Sequence, residues 1–158
     1  MEFIYDDGGR AAAGFKGKTG DCVTRAIAIA TGRPYREVYD RLNEIAQEHE
    51  RLKVRKSRTK RRSSSRTGVY KQTYLRYLEE LGWVKVVTSG FGEQPIKFNT
   101  HKLPAGRLIV KRRKHLVAVV DGVVRDTWDS CIARDFETGK VRPEGAAIYG
   151  YWKESEED

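Results

Sequence analysis

His115-Leu116-Val117-Ala118-Val119-Val120-Asp121-Gly122-Val123-Val124-Arg125-Asp126-Thr127-Trp128 holds two apolar runs separated by two residues. Asp-Gly is the pair a type I′ turn asks for, because both central residues take positive φ. The spacing predicts strands over 115–120 and 123–128 joined by a two-residue hairpin. Val120 then pairs with Val123, and the register sets His115 opposite Trp128. Side chains alternate across a sheet, so His115, Val117 and Val119 share a face with Val124, Asp126 and Trp128. Asp126 is the diagonal neighbour of His115 on that face, within reach of an imidazole. Asp129 has the wrong parity for that role unless the strand has already ended.

Outward from the hairpin, 83–88, 108–111 and 147–153 also read as strands, whereas the first half of the chain is helical. Asp21 is positioned as an N-cap. Val23, Ala26, Ile27 and Ala30 follow at helical spacing, and Thr31-Gly32 closes the segment. A second helix is expected over 34–48, with Tyr35, Val38, Tyr39, Leu42, Ile45 and Ala46 turned inward. A third is expected over 69–81, with Thr67 as a cap, Gly82 as the stop, and Tyr70, Tyr74, Tyr77, Leu78 and Leu81 on its buried side. Residues 1–20, with five glycines, read as an irregular lead-in. Helices first and antiparallel strands after them predict an α+β fold.

The 158 residues suit one domain spanning 1–158. No run approaches the ~20 apolar residues of a membrane span, and the start of the chain lacks the pattern of a signal peptide. The expectation is a cytoplasmic protein with no membrane contact. Two cysteines do not make a disulfide framework or a four-cysteine zinc site. The net charge of +9 is local. Residues 53–66 carry eight cations (Lys53, Arg55, Lys56, Arg58, Lys60, Arg61, Arg62 and Arg66) and no acid. Without those eight, 23 of the 31 basic residues face 22 acidic ones, a net of +1. This basic insert can neutralise phosphates, but it holds no aromatic residue for base stacking. Nucleic acid, an acidic partner and plain solvation all remain readings of it. An acidic tail occupies 154–158.

Cys22 opens the first helix. The partial positive charge of a helix N-terminus stabilises a thiolate, and the unpaired N–H groups there can hold an oxyanion. The alternative is a small buried hydrophobe, the commonest state of a free cysteine. For His115 the alternative to an acid-oriented base is a solvated strand end beside an unrelated Asp126. Cys131 reads as an ordinary thiol, with a regulatory bond to Cys22 as the other option. His49 and His101 lack metal-ligand spacing. Trp83, Trp128 and Trp152 read as core or cleft wall, with Trp128 placed to shield His115.

Thr19-Gly20-Asp21-Cys22-Val23-Thr24-Arg25-Ala26-Ile27-Ala28-Ile29-Ala30-Thr31-Gly32, followed by His115 to Gly122 and Asp126-Thr127-Trp128-Asp129, resembles small bacterial and phage proteins of the papain-like cysteine peptidase superfamily. The likeness is nearest to peptidases that process bacteriocin leaders. It spans most of 15–153, leaving out the basic insert. The resemblance implies N-terminal helices, the Cys at a helix N-terminus, packed on a C-terminal antiparallel sheet. It implies Cys22 as nucleophile, His115 as general base and acid, and Asp126 as the orienting carboxylate. It implies peptide or isopeptide hydrolysis without cofactor or metal, and a bacterial host cytoplasm if the protein is phage-encoded. The superfamily commonly places an oxyanion-hole Gln about six residues before the Cys. Lys16 stands there in this chain, with Lys18 and Thr19 closer. The second reading is a non-catalytic binding module on the same fold, attached through the basic insert.

Overall fold

A computed structural model describes residues 1–17, 19–50, 62–88 and 94–156 of the chain. Helix α1 (Cys22–Thr31) is rich in Ala and Ile and stops at Gly32, whose φ of 72° is the left-handed conformation of a helix C-terminus. Helix α2 (Tyr35–Ile45) begins just after Pro34, with φ already at −57°. It continues into a π-helical turn, Ala46–Glu50. That turn delivers the fully buried Glu50 carboxylate to the Ser63 N–H (2.6 Å) and to the hydroxyls of Ser63 and Thr73. Helix α3 (Lys71–Glu80) starts two residues later than the sequence predicts. Thr67 does not cap it. Thr67 belongs instead to a turn closed by Ser64 and Gly68, with its Oγ1 2.6 Å from the Ser64 Oγ. Tyr70 precedes the helix and is exposed rather than inward.

Eight strands form among the described residues. They are β1 (Glu2–Tyr5), β2 (Trp83–Val86), β3 (Ile96–Lys97), β4 (Arg107–Arg112), β5 (His115–Val120), β6 (Val123–Asp126), β7 (Ala147–Ile148) and β8 (Tyr151–Glu154). Six of them make one sheet in the order β1-β6-β5-β4-β8-β2; β3 and β7 pair separately. All neighbours in the large sheet are antiparallel except β1 on β6. The fold is therefore α+β, with three α-helices among the described residues and a mostly antiparallel sheet.

The β5–β6 hairpin has the expected turn and register. Asp121 and Gly122 take φ of 49° and 78°, and Val120 pairs with Val123. Strand β6 ends at Asp126, two residues short of the sequence expectation. The lead-in is not irregular throughout, because β1 lies parallel beside β6. An edge strand held by main-chain bonds, with most of its side chains in water, leaves no apolar alternation to read. The run 147–153 is two strands, split at Tyr149-Gly150, where Gly150 takes a φ of 133°.

Leu116 and Ala118 of β5, Ile109 of β4 and Trp152 of β8 pack against α1, α2 and α3. Val117 and Val119 of β5, with Leu108, Val110 and Val124, face a second cluster that includes Phe98, Cys131 and Ile148. Burial on both faces explains why β5 is apolar along its length rather than alternating. No helix among the described residues is long and apolar enough to cross a membrane.

Candidate active site

The antiparallel pairing of β5 and β6 puts the first residue of one strand and the last of the other at the same rim of the sheet. His115 and Asp126 meet there, with Nε2 2.6 Å from the Asp126 Oδ2. The same Asp126 oxygen accepts from the Ser130 hydroxyl at 2.8 Å. Its other oxygen accepts from the Thr127 N–H at 2.7 Å. Helix α1 begins against this rim, where Cys22, His115 and Leu116 line one cleft and the thiol and the imidazole are close enough to shift each other's titration. With Nε2 engaged by Asp126, Nδ1 is the ring nitrogen left for sulfur. The three predicted site residues thus come together at one rim of the sheet, and it is Asp126 rather than Asp129 that meets the imidazole. The half-exposed Trp128 ring packs against His115 at a tilt, 5.0 Å between ring centroids, and the Arg112 guanidinium lies over the Trp128 ring at 5.2 Å. Trp83 and Trp152 are core residues.

Burial by itself pushes the Cys22 thiol up. The His115 hydrogen bond, the Leu116 N–H and the positive charges of His115 and Arg25 outweigh it, and the net shift is down. Burial pulls His115 down, but its bonds to Asp126 and Cys22 carry it above its ordinary value. Asp126 is pushed up by burial and lowered further by His115, Thr127 and Ser130. All three directions favour thiolate, imidazolium and carboxylate together.

Arg25 is the site residue that motif reasoning passes over. It is buried one helical turn after Asp21 and bridges two carboxylates. One Nη bonds the Asp21 Oδ1, and the other lies 3.1 Å from the Asp126 Oδ1. Asp21 is 1% exposed and makes no side-chain cap bond to α1, so the expected capping role is corrected. Its second oxygen accepts from the Tyr35 hydroxyl at 2.5 Å, with Arg10 Nε at 3.7 Å. The signal in the sequence is a lone arginine inside an apolar helix, four residues after an aspartate. A buried cation at that position requires buried anions.

A cleft of 570 Å³ opens beside Cys22 and His115. Gly20, Thr67 and Gly68 line it on one side, with Val23, Val69, Tyr74 and Leu116 as its apolar wall. Lys16 does not line it. The Lys16 side chain is exposed, and its carbonyl accepts from Arg66 at 2.8 Å. The Thr19 hydroxyl is used on the Arg66 carbonyl at 2.5 Å. Lys18 lies outside the described residues.

Cys131 donates to the Asp129 Oδ1 at 2.9 Å, and burial with that carboxylate pushes its thiol up to about 11. Both cysteines are free, and they belong to clusters on opposite faces of the sheet. No cluster of His, Cys, Asp and Glu fit to hold a metal occurs among the described residues.

The basic insert divides in two. Lys53, Arg55, Lys56, Arg58, Lys60 and Arg61 lie outside the described residues. From Ser63 to Arg66 the chain is tied into the fold. Ser65 donates its N–H to Asn43 (2.9 Å) and its hydroxyl to the Tyr39 carbonyl (2.5 Å), and its own carbonyl accepts from the Thr24 hydroxyl at 2.9 Å. The tract has no apolar period and reads from sequence as a mobile loop or frayed helix end; over 63–66 that reading is corrected. Compared with family models, curated proteins and solved structures, the chain matches none.

Proposed function

We propose that the protein is a papain-like cysteine hydrolase that cleaves peptide or isopeptide bonds through Cys22, His115 and Asp126. The observation carrying this reading is the His115–Asp126 pair set in the same cleft as a cysteine at the start of a helix, with thiol and imidazole each shifting the other's titration. Cys22 thiolate attacks the scissile carbonyl carbon, forming a C–S bond and placing the negative charge on oxygen. The Cys22 N–H, in the first turn of α1 where the helix leaves donors unpaired, is the donor for that oxyanion. As the intermediate collapses the C–N bond breaks, and the leaving amine takes the His115 proton. Water then gives a proton to His115 and attacks the thioester. The acid leaves, and the sulfur regains its charge. Asp126 holds the ring in one tautomer, as the carboxylate of a triad does.

The test is a pool of quenched fluorescent peptides together with a peptidyl fluoromethyl ketone read by intact mass. The expected result is turnover and a single adduct on Cys22. Cys22→Ala and His115→Ala should each lower turnover by about 10³-fold or more. An adduct on Cys131 at an equal rate, or turnover unchanged in Cys22→Ala, would overturn the reading.

The eight cations in 53–66 favour a second reading, a binding module for nucleic acid or an acidic partner. It requires a salt-sensitive shift of a polyanion. The variant to use replaces only the six cations of 53–61, because removing Ser63 and Ser65 would break the ties described above.

A further inference from the structure

We infer that the cleft beside Cys22 is a subsite for an anionic side chain, so that the preferred substrate carries a glutamate or aspartate next to the scissile bond. This rests on the hydrolase reading and names its substrate class. Lys71, Lys111 and Lys114 all line the cleft, and none of its lining residues is acidic. None of the three ammonium groups has an ion-pair partner among the described residues, although six arginines there do. Lys111 is half-buried, and its charge is opposed both by burial and by neighbouring Lys71, while the sulfur of Cys22 is close enough to favour it. Two like charges held together beside a partly buried wall gain most from an anion that enters between them. The apolar wall of Val23, Val69, Tyr74 and Leu116 suits the methylene stem of a glutamate. An anion in the cleft would meet half-buried Lys111, which senses the Cys22 sulfur, together with the exposed Lys71 and Lys114 of the lining.

Two measurements test this, and one of them does not need turnover. The first compares Cys22 alkylation by iodoacetate, an anion, with alkylation by neutral iodoacetamide. It uses the full-length chain and the variants Lys111→Met, Lys71→Gln and Lys114→Gln, with thermal melts to verify folding. The ratio of the two rates should fall about fivefold per lysine removed and should shrink with added salt. The second compares peptides that differ only by Glu against Gln at the residue beside the scissile bond, each amidated at its C-terminus. A further peptide has its terminal carboxylate as the sole anion. The internal Glu peptide should have about tenfold higher kcat/KM than its Gln twin, and Lys111→Met should erase the difference. A rate ratio that the lysine substitutions leave unchanged overturns the anion subsite. So does equal cleavage of the Glu and Gln peptides, or preference for the terminal carboxylate alone. If no peptide is cleaved, the hydrolase reading fails, and the alkylation ratio still decides whether the cleft selects anions.

Discussion

Arg25 holds the site together by charge. It lies between Asp21 and Asp126, and Asp126 in turn holds His115. Arg25→Met removes the cation that two buried carboxylates share, leaving Asp21 with Arg10 at 3.7 Å and Asp126 with His115, and costs about 3–5 kcal/mol. For a chain of this size that is a fall in Tm of roughly 6–20 °C by calorimetry. Arg25→Lys keeps the charge but not the fork that reaches two acids, so it should recover only part of the loss. His115 gives a pH signature. Its pKa is raised on folding, so its stabilising contribution is complete below its unfolded value of about 6.5 and fades as pH rises through the folded value. Asp126 is lowered, so its contribution is complete above about 3.9 and is lost as pH falls through its folded value. His115→Ala should therefore destabilise by about 1.5–3 kcal/mol near pH 5 and by less near pH 9, read from urea midpoints.

At the scale of elements, the turn closed by Ser64 and Gly68 positions one side of the cleft, and Gly20 is where it touches the start of α1. A Cβ on Gly20 would sit 3.0 Å from the Thr67 carbonyl oxygen, a backbone atom that cannot swing away. Gly20→Ala should cost about 1–3 kcal/mol, and it should slow Cys22 alkylation by altering the cleft. The elements differ in how openly the sequence declared them. The β5–β6 hairpin was legible because an Asp-Gly pair permits one turn, and that turn fixes the register that brings Asp126 to His115. Helix α1 was legible from its apolar spacing. Strand β1 was not, since parallel pairing on β6 asks nothing of its side chains. The end of the basic insert misled for a related reason. Ser63 and Ser65 act through hydroxyls and main chain on partners as distant in sequence as Thr24, Tyr39 and Glu50, which no local pattern records. Asp21 was read as a cap because its position allows one, but a buried arginine a turn later competes for the same carboxylate and wins.

For the whole molecule, helices on one face of a central sheet let α1 deliver a sulfur to the rim where β5 begins. Most of the net positive charge lies in the run over 53–66, apart from the cleft lysines. Replacing the six cations of 53–61 by serine takes the net charge from +9 to +3. Turnover of small peptides should then change by less than about twofold, and any polyanion binding should lose its steep salt dependence. The most direct test of the central claim is the pH profile of Cys22 alkylation by iodoacetamide, with each cysteine followed by peptide mass spectrometry. A thiolate–imidazolium pair predicts that Cys22 is already reacting at pH 6, at least about 100-fold faster than Cys131, and that His115→Ala moves its profile up toward that of an ordinary thiol near 8.5. Slow labelling of Cys22 at pH 6, rising only above pH 8 and indifferent to His115→Ala, would contradict it.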